Sequence, residues 1–326
     1  MSTHPSHYTR DIWMQFSYEE VRQVFDTVIS TVQYGHSHKP TLNSVFSQSQ
    51  TLLTSNNTTE VAVFHQQEVQ KSLNLFFQKI RLKDQNQQSG KDKTAKIGQI
   101  LSYLEIIHAQ VRKYSKKREL IFIDCGAGNC YLSFLVYYFY TQIEKRPIQI
   151  HCLDINQSLM ENNRHRAEAL EFKRIFFHTG DIADYVYDGR PDIVYSLHAC
   201  DSATDKMLYL GLQTEARNIL SVSCCQHTNI KKMKGHPYTG ITRHQIFKEK
   251  LAYMVGDALR ALLLEMHGYQ VDIIEFASSR HTDKNIMLRA QKGHGNDVAQ
   301  LTEQYQKLQN AFNFSPALES YLLPDD

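Results

Sequence analysis

Apolar positions recur at helical spacing through the first third of the chain and give way to short unbroken apolar runs in the middle. Ser17-Tyr18-Glu19-Glu20 has capping-box spacing ahead of Val21, Val24, Phe25, Val28, Ile29 and Val32, which predicts a first helix. Residues 35–59, rich in Ser, Thr, Asn and Gln, read as loop, and Val69, Leu73, Phe76, Phe77 and Ile80 then share one helical face. Asp84 to Lys96 is nearly free of apolar residues and reads as an exposed linker. The pattern therefore predicts a helical N-terminal region over 1–95 and a second unit over 96–326.

In that second unit an amphipathic helix (Ile97, Ile100, Leu101, Leu104, Ile107, Val111) leads to the apolar run Leu120 to Ile123, which reads as a buried strand. Alternation follows: a helix through Leu132, Leu135 and Phe139, a strand at Ile148 to Leu153, a helix near Leu159 to Leu170 and a strand at Arg174 to His178. Further strands are expected at Asp192 to Leu197 and Ile219 to Ser223, then a long helix through Phe247 and Met266. Strands alternating with helices imply a parallel sheet covered on both faces, an α/β fold. Two last strand-like runs, Tyr269 to Phe276 and Asn285 to Ala290, can pair antiparallel, and a helix over Val298 to Phe312 closes the chain. Five parallel-type strands ending in such a pair make a seven-stranded Rossmann-like sheet of the class I methyltransferase kind, not the six parallel strands of a dinucleotide dehydrogenase.

Charge narrows the partners: 36 Lys and Arg against 34 Asp and Glu give no whole-molecule field for nucleic acid, so any RNA contact has to be local. The N-terminus has no apolar run resembling a signal peptide and no stretch is long enough to span a bilayer, so a cytoplasmic protein without membrane contact is expected. Six cysteines, Cys125, Cys130, Cys152, Cys200, Cys224 and Cys225, fall in predicted strands, strand ends or a helix start, which is not a disulfide framework.

The chemistry sits at the predicted strand ends. Asp124-Cys125-Gly126-Ala127-Gly128 turns from a buried strand into a helix, and Gly126 and Gly128 let backbone approach a ligand closely, with Asp124 able to accept from an ammonium group. Asp154 ends the second strand where a carboxylate can accept two ribose hydroxyls, a reading that equally fits NAD. After the third strand, Asp181 can accept from an adenine amino group while Ile182 packs on the ring. Each acid alone is as easily a cap or turn residue; three at successive strand ends point to a nucleotide.

Three segments carry a resemblance: Ser196-Leu197-His198-Ala199-Cys200-Asp201-Ser202-Ala203-Thr204-Asp205, Ser223-Cys224-Cys225-Gln226-His227, and Ser279-Arg280-His281-Thr282-Asp283-Lys284-Asn285. Over roughly Lys96 to Ala290 the sequence resembles the methyltransferase-like 25 type family. The resemblance implies a class I methyltransferase fold using S-adenosylmethionine, placed at Asp124, Gly126, Gly128, Asp154, Asp181 and Leu197 or His198. Cys130 stands where the family pattern has its last glycine, which raises the question of whether its side chain weakens cofactor binding.

In this fold the acceptor lies near the segment after the fourth strand, which makes His198 and Asp201 the candidates for binding the acceptor or taking its proton; Asp201 reads equally as a helix cap. Cys200, Cys224, Cys225, His198 and His227 have the right atoms for zinc or for a cysteine nucleophile, but adjacent cysteines lack a spaced second pair, so buried packing thiols and no metal are expected. Lys231, Lys232 and Lys234, followed by Arg243, His244, Lys248 and Lys250, could hold phosphates of an RNA acceptor or form a solvated face. RNA is the first acceptor expected and protein the second; the reading from another class is a catalytically silent scaffold that binds cofactor at most.

Overall fold

The computed structural model describes residues 76–80, 91–199, 202–223, 230–231, 236, 238–277, 282, 284–293 and 297–323. The first predicted helix, the loop at 35–59 and most of the 69–80 helix lie outside the described residues. The elements are α1 (Lys91–Val111), β1 (Leu120–Cys125), α2 (Tyr131–Tyr138), β2 (Ile148–Asp154), α3 (Gln157–Ala169), β3 (Ile175–Thr179), β4 (Ile193–Ala199), α4 (Ser202–Gln213) and β5 (Asn218–Ser223). They continue with α5 (Thr239–Thr242), α6 (Gln245–Met266), β6 (Tyr269–Glu275), β7 (Ile286–Lys292), α7 (Val298–Phe312) and α8 (Ala317–Leu322).

One sheet of seven strands results, ordered β3-β2-β1-β4-β5-β7-β6. β1 to β5 pair in parallel, with Asp124 beside Cys152 and Tyr195, while β7 runs antiparallel to both β5 and β6. This is the Rossmann-like class I methyltransferase sheet expected from the strand pattern. The order reverses between β1 and β4, and ligands in open α/β sheets bind beyond the carboxyl ends of strands at such a switch point.

Both faces are dry, which is why the inner strands are unbroken apolar runs. Phe122, Ile150, Cys152 and Tyr195 face α1, α2 and α3 on one side, and Ile123, Leu153, Val194 and Ile219 face α4, α6 and α7 on the other. Phe76, Phe77 and Ile80 join the first of these cores, with Phe76 stacked on Tyr138 at 4.4 Å between ring centroids. Asn156 caps α3 by accepting from Leu159 N at 3.0 Å, and Asp297 caps α7 by accepting from Gln300 N at 3.2 Å.

Two elements differ from the sequence pattern. The stretch read as linker up to Lys96 is helical from Lys91, because Lys and Ala are good helix formers and a polar helix start leaves no apolar stripe to read. The helix after the glycine turn is short and passes into a π-helical turn over Phe139–Ile143.

Candidate cofactor and acceptor site

At the end of β1 the chain turns sharply across the end of β2: Gly126 N and Ala127 N both donate to Leu153 O, at 2.9 and 3.0 Å. Gly126 has φ +70° and Gly128 φ +52°, left-handed values that favour glycine. A Cβ on Gly128 would meet no atom of the described residues within 4 Å, so open space lies over it, while one on Gly126 would sit 3.7 Å from Ala199 Cβ at the end of β4. The turn is held from below by α3, where Asn163 Nδ2 donates to Gly128 O at 2.7 Å and Arg166 Nη1 to Asn129 O at 3.1 Å. Cys130 is also left-handed, with φ 53°, a strain of about 1 kcal/mol for a non-glycine residue. Its thiol is 1% exposed, lies in the core and accepts from Asn163 Nδ2 at 3.1 Å, and burial, with Cys152 beside it, pushes its pKa up. The Cys130 side chain thus fills the floor of the turn and not the space above it.

Asp124 and Asp154 frame this turn. Asp154 Oδ2 accepts from Gly128 N at 2.8 Å and Oδ1 from Asn156 N at 2.9 Å, which leaves about one lone pair on each oxygen for a ligand. Asp124 is 4% exposed and accepts from Ser133 Oγ at 2.5 Å, and Ser133 is itself 2.5 Å from the Tyr195 hydroxyl. Since Ser133 spends its one proton on the carboxylate, Tyr195 donates to Ser133. Burial pushes the Asp124 pKa up to about 7; the Ser133 hydrogen bond opposes this and the charge of Asp154 adds to it. Among the described residues no cation pairs with Asp124.

The end of β3 comes alongside, with Gly180 N donating to Asp154 O at 3.1 Å. Asp181 accepts from Ala183 N at 2.9 Å as cap of a short 3-10 turn and forms an ion pair with Lys206 of α4, whose hydrogen bond holds its pKa low. Ile182 is 6% exposed and belongs to the second core. Ile155, next to Asp154, is 78% exposed, an apolar side chain left in water that the sequence reading passed over.

At the end of β4, Leu197 pairs with Val222 and Ala199 with Ser223, so His198 is the extra residue of a bulge. Bulges interrupt strand alternation and concentrate beside active sites. Leu197 is partly buried against the first core. The His198 side chain, Asp201, Cys200, Cys224, Cys225 and His227 lie outside what is described; Cys125, Cys130 and Cys152 are buried free thiols. Among the described residues no group of His, Cys, Asp and Glu is placed to hold a metal ion, and no helix is long and apolar enough to cross a membrane.

Behind β4 and β5 lies a buried ionic network that the sequence reading missed. The Arg260 guanidinium, wholly buried, donates to Asp205 Oδ1 and Oδ2 at 2.8 and 2.9 Å and to Asp257 Oδ1 at 3.0 Å. Ser223 Oγ, at the end of β5, donates to Asp257 Oδ1 at 3.1 Å, and Thr204 Oγ1 donates to Ala199 O at 2.9 Å. Thr204 and Asp205, the tail of the motif after β4, thus fix the ends of two strands relative to α4 and α6.

Residues 95–232, which hold all of these strand ends, match the family model of a methyltransferase domain. The match spans less than half of the chain. Among solved structures the chain is similar to the citrinin polyketide synthase CMeT domain (12% identity, TM-score 0.42), covering 62% of this chain and 54% of that one, about half its length. It is similar also to magnesium protoporphyrin IX methyltransferase from Synechocystis with bound S-adenosylhomocysteine (15% identity, TM-score 0.40), covering 63% of this chain and 89% of that one. A third similarity is to the 23S rRNA methyltransferase ErmE (12% identity, TM-score 0.38), covering 64% and 77% of the two chains. No curated protein sequence matches. The cofactor of a methyltransferase domain of this fold is S-adenosylmethionine, and the donor set fits it: among the described residues, a buried carboxylate without a cation, a second carboxylate with free lone pairs, and open space over Gly128.

Proposed function

We propose that the methyltransferase domain moves a methyl group from S-adenosylmethionine to an acceptor presented beyond the ends of β4 and β5, with RNA the first acceptor to test and protein the second. The unit would span 96–326, with a helical N-terminal region over 1–95; the start of the family match at residue 95 supports that division. The observation that carries the cofactor assignment is Asp124, a carboxylate buried among hydroxyls with its pKa raised to about 7. Such a group is stabilised most by a cation, and the amino acid end of the cofactor brings an ammonium.

In this reading Asp124 binds the ammonium, Gly126 and Gly128 leave room for the amino acid and ribose, and Asp154 accepts the ribose hydroxyls with its remaining lone pairs. Asp181 stays ionised beside Lys206 and accepts from the adenine amino group. Ile155, more than the buried Ile182, supplies apolar surface for the adenine ring, with Leu197 at the far wall. S-adenosylmethionine, when bound, supplies an electrophilic methyl group on sulfur and departs as S-adenosylhomocysteine. The chain's part is then to align the acceptor lone pair and receive its proton, the roles given to His198 and Asp201. The bulge at His198 supports this placement, and the Arg260 network supports it indirectly by fixing the strand ends from which those residues hang.

The silent-scaffold alternative drew on Cys130, and the burial of that thiol beneath the turn counts against it. The test is turnover. With methyl-labelled S-adenosylmethionine and cellular RNA or protein, label should pass to one of the two fractions and S-adenosylhomocysteine should accumulate. Cofactor binding with no transfer to any fraction would sink the catalytic assignment.

A further inference from the structure

Helix α6 overhangs the sheet. Its last residues lead into β6, which runs parallel to β5, so the start of α6 lies at the carboxyl edge of the strands. Asp257 accepts from Ser223 at the very end of β5, and the twelve residues before it, from Gln245, make about 18 Å of helix that begins on the side where Gly128, Asp154 and His198 lie.

This overhang and the short α5 before it are unlike the rest of the surface. Tyr238, Ile241, Ile246, Phe247 and Met254 are 45–70% exposed, five of the twelve large apolar side chains exposed among the described residues. The same stretch is basic: residues 238–254 contain Arg243, Lys248 and Lys250 against the single acid Glu249, and the exposed Lys231 precedes them. A solvated charged face explains the lysines but not the bare apolar side chains among them.

We infer that the overhang of α5 and α6 is a binding surface for single-stranded RNA, which rests on the methyltransferase reading above and names the surface by which the acceptor is held. The charge complements phosphates, and the exposed rings offer stacking faces for bases. Tyr238 keeps one ring face against Phe312, at 5.2 Å between centroids, and is still 45% exposed; Phe247 is braced edge-on by His244 at 5.8 Å. Membrane-surface helices separate apolar and basic faces, whereas Phe247, Lys250 and Met254, spaced by three and four residues, alternate apolar and basic along one stripe of α6.

Binding of a fluorescently labelled single-stranded RNA 20-mer, followed by anisotropy across a salt series, tests this on the full chain, with S-adenosylmethionine titrated separately by calorimetry. Arg243→Glu with Lys250→Glu, both exposed, should weaken RNA binding at least tenfold and flatten the salt slope by about 1.4. Phe247→Ala should weaken it severalfold with the slope unchanged. Cofactor affinity and melting temperature should stay as in the parent protein in both variants. Equal RNA affinity in the parent and the charge-reversed variant would overturn the inference. So would absence of RNA binding in a parent that still binds S-adenosylmethionine, or selective binding to phosphatidylserine vesicles. Failure of the parent to bind S-adenosylmethionine would instead count against the cofactor assignment.

Discussion

Two buried acid clusters stand on either side of β4, and they differ in one respect. Around Asp205 and Asp257 the chain supplies its own cation, the fully buried Arg260, with an N–H directed at each of three carboxylate oxygens. Around Asp124 the described residues supply the hydroxyl of Ser133, itself bonded to that of Tyr195, and no cation. The first cluster is complete, and its pKa consequence is an Arg260 held more firmly protonated, with burial opposing and the two aspartates prevailing. The second is incomplete, and its consequence is a carboxyl group pushed up to about 7. A buried charge with its partner in the chain belongs to the scaffold; one without a cation among the described residues is what we read as a place for a ligand's.

The largest effect should come from opening the complete cluster. Arg260→Ala leaves two carboxylates buried without a cation and should cost about 3–5 kcal/mol in denaturant unfolding. Asp205→Asn in the same background should return part of that loss. Opening the incomplete cluster should do the reverse: Asp124→Asn should weaken S-adenosylmethionine binding about ten- to a hundredfold by calorimetry. The same variant should leave the cofactor-free protein at least as stable at pH 7.5.

The pH sign follows from the raised pKa. Between the unfolded value of 3.8 and about 7, the folded state holds the Asp124 proton more tightly than the unfolded state. The Asp124 contribution to stability is therefore present at low pH and falls as pH rises toward 7. Its loss should be visible as a difference between the parent and Asp124→Asn melting curves. His151, buried against His178 with its pKa lowered to about 4, has the opposite sign: its contribution is lost as pH falls from 6.5 toward 4. The smallest effect should be that of Cys130→Gly, which relieves a left-handed φ and removes a thiol from beneath the turn; cofactor affinity should move less than threefold.

The difference between the clusters also decided what the sequence made legible. Asp124 and Asp154 lie at the ends of apolar runs, so their positions stood out, and the seven strands fell within a residue or two of their observed bounds, most plainly β1, β2, β4 and β5, which are dry on both faces and write themselves as such runs. Arg260 was hidden because its partner Asp205 lies 55 residues away and nothing local links them. Its signal was the pair Asp257 and Arg260, three residues apart on an otherwise apolar face of α6. Ile155 could have been found as an apolar residue directly after a strand-ending acid. The helices α5 and α8, of four and six residues, are too short to show a period.

The most direct test of the cofactor assignment is calorimetric titration with S-adenosylmethionine at pH 7.5 and at pH 5.5. An ammonium stays protonated below about 7.7, so the change in affinity reports the protein carboxyl group. The account predicts binding at pH 7.5 that weakens on the order of tenfold at pH 5.5 in the parent protein, and weaker, pH-independent binding in Asp124→Asn. Binding of equal strength at both pH values and in both proteins would place the cofactor elsewhere, and absence of binding at either pH would contradict the assignment outright.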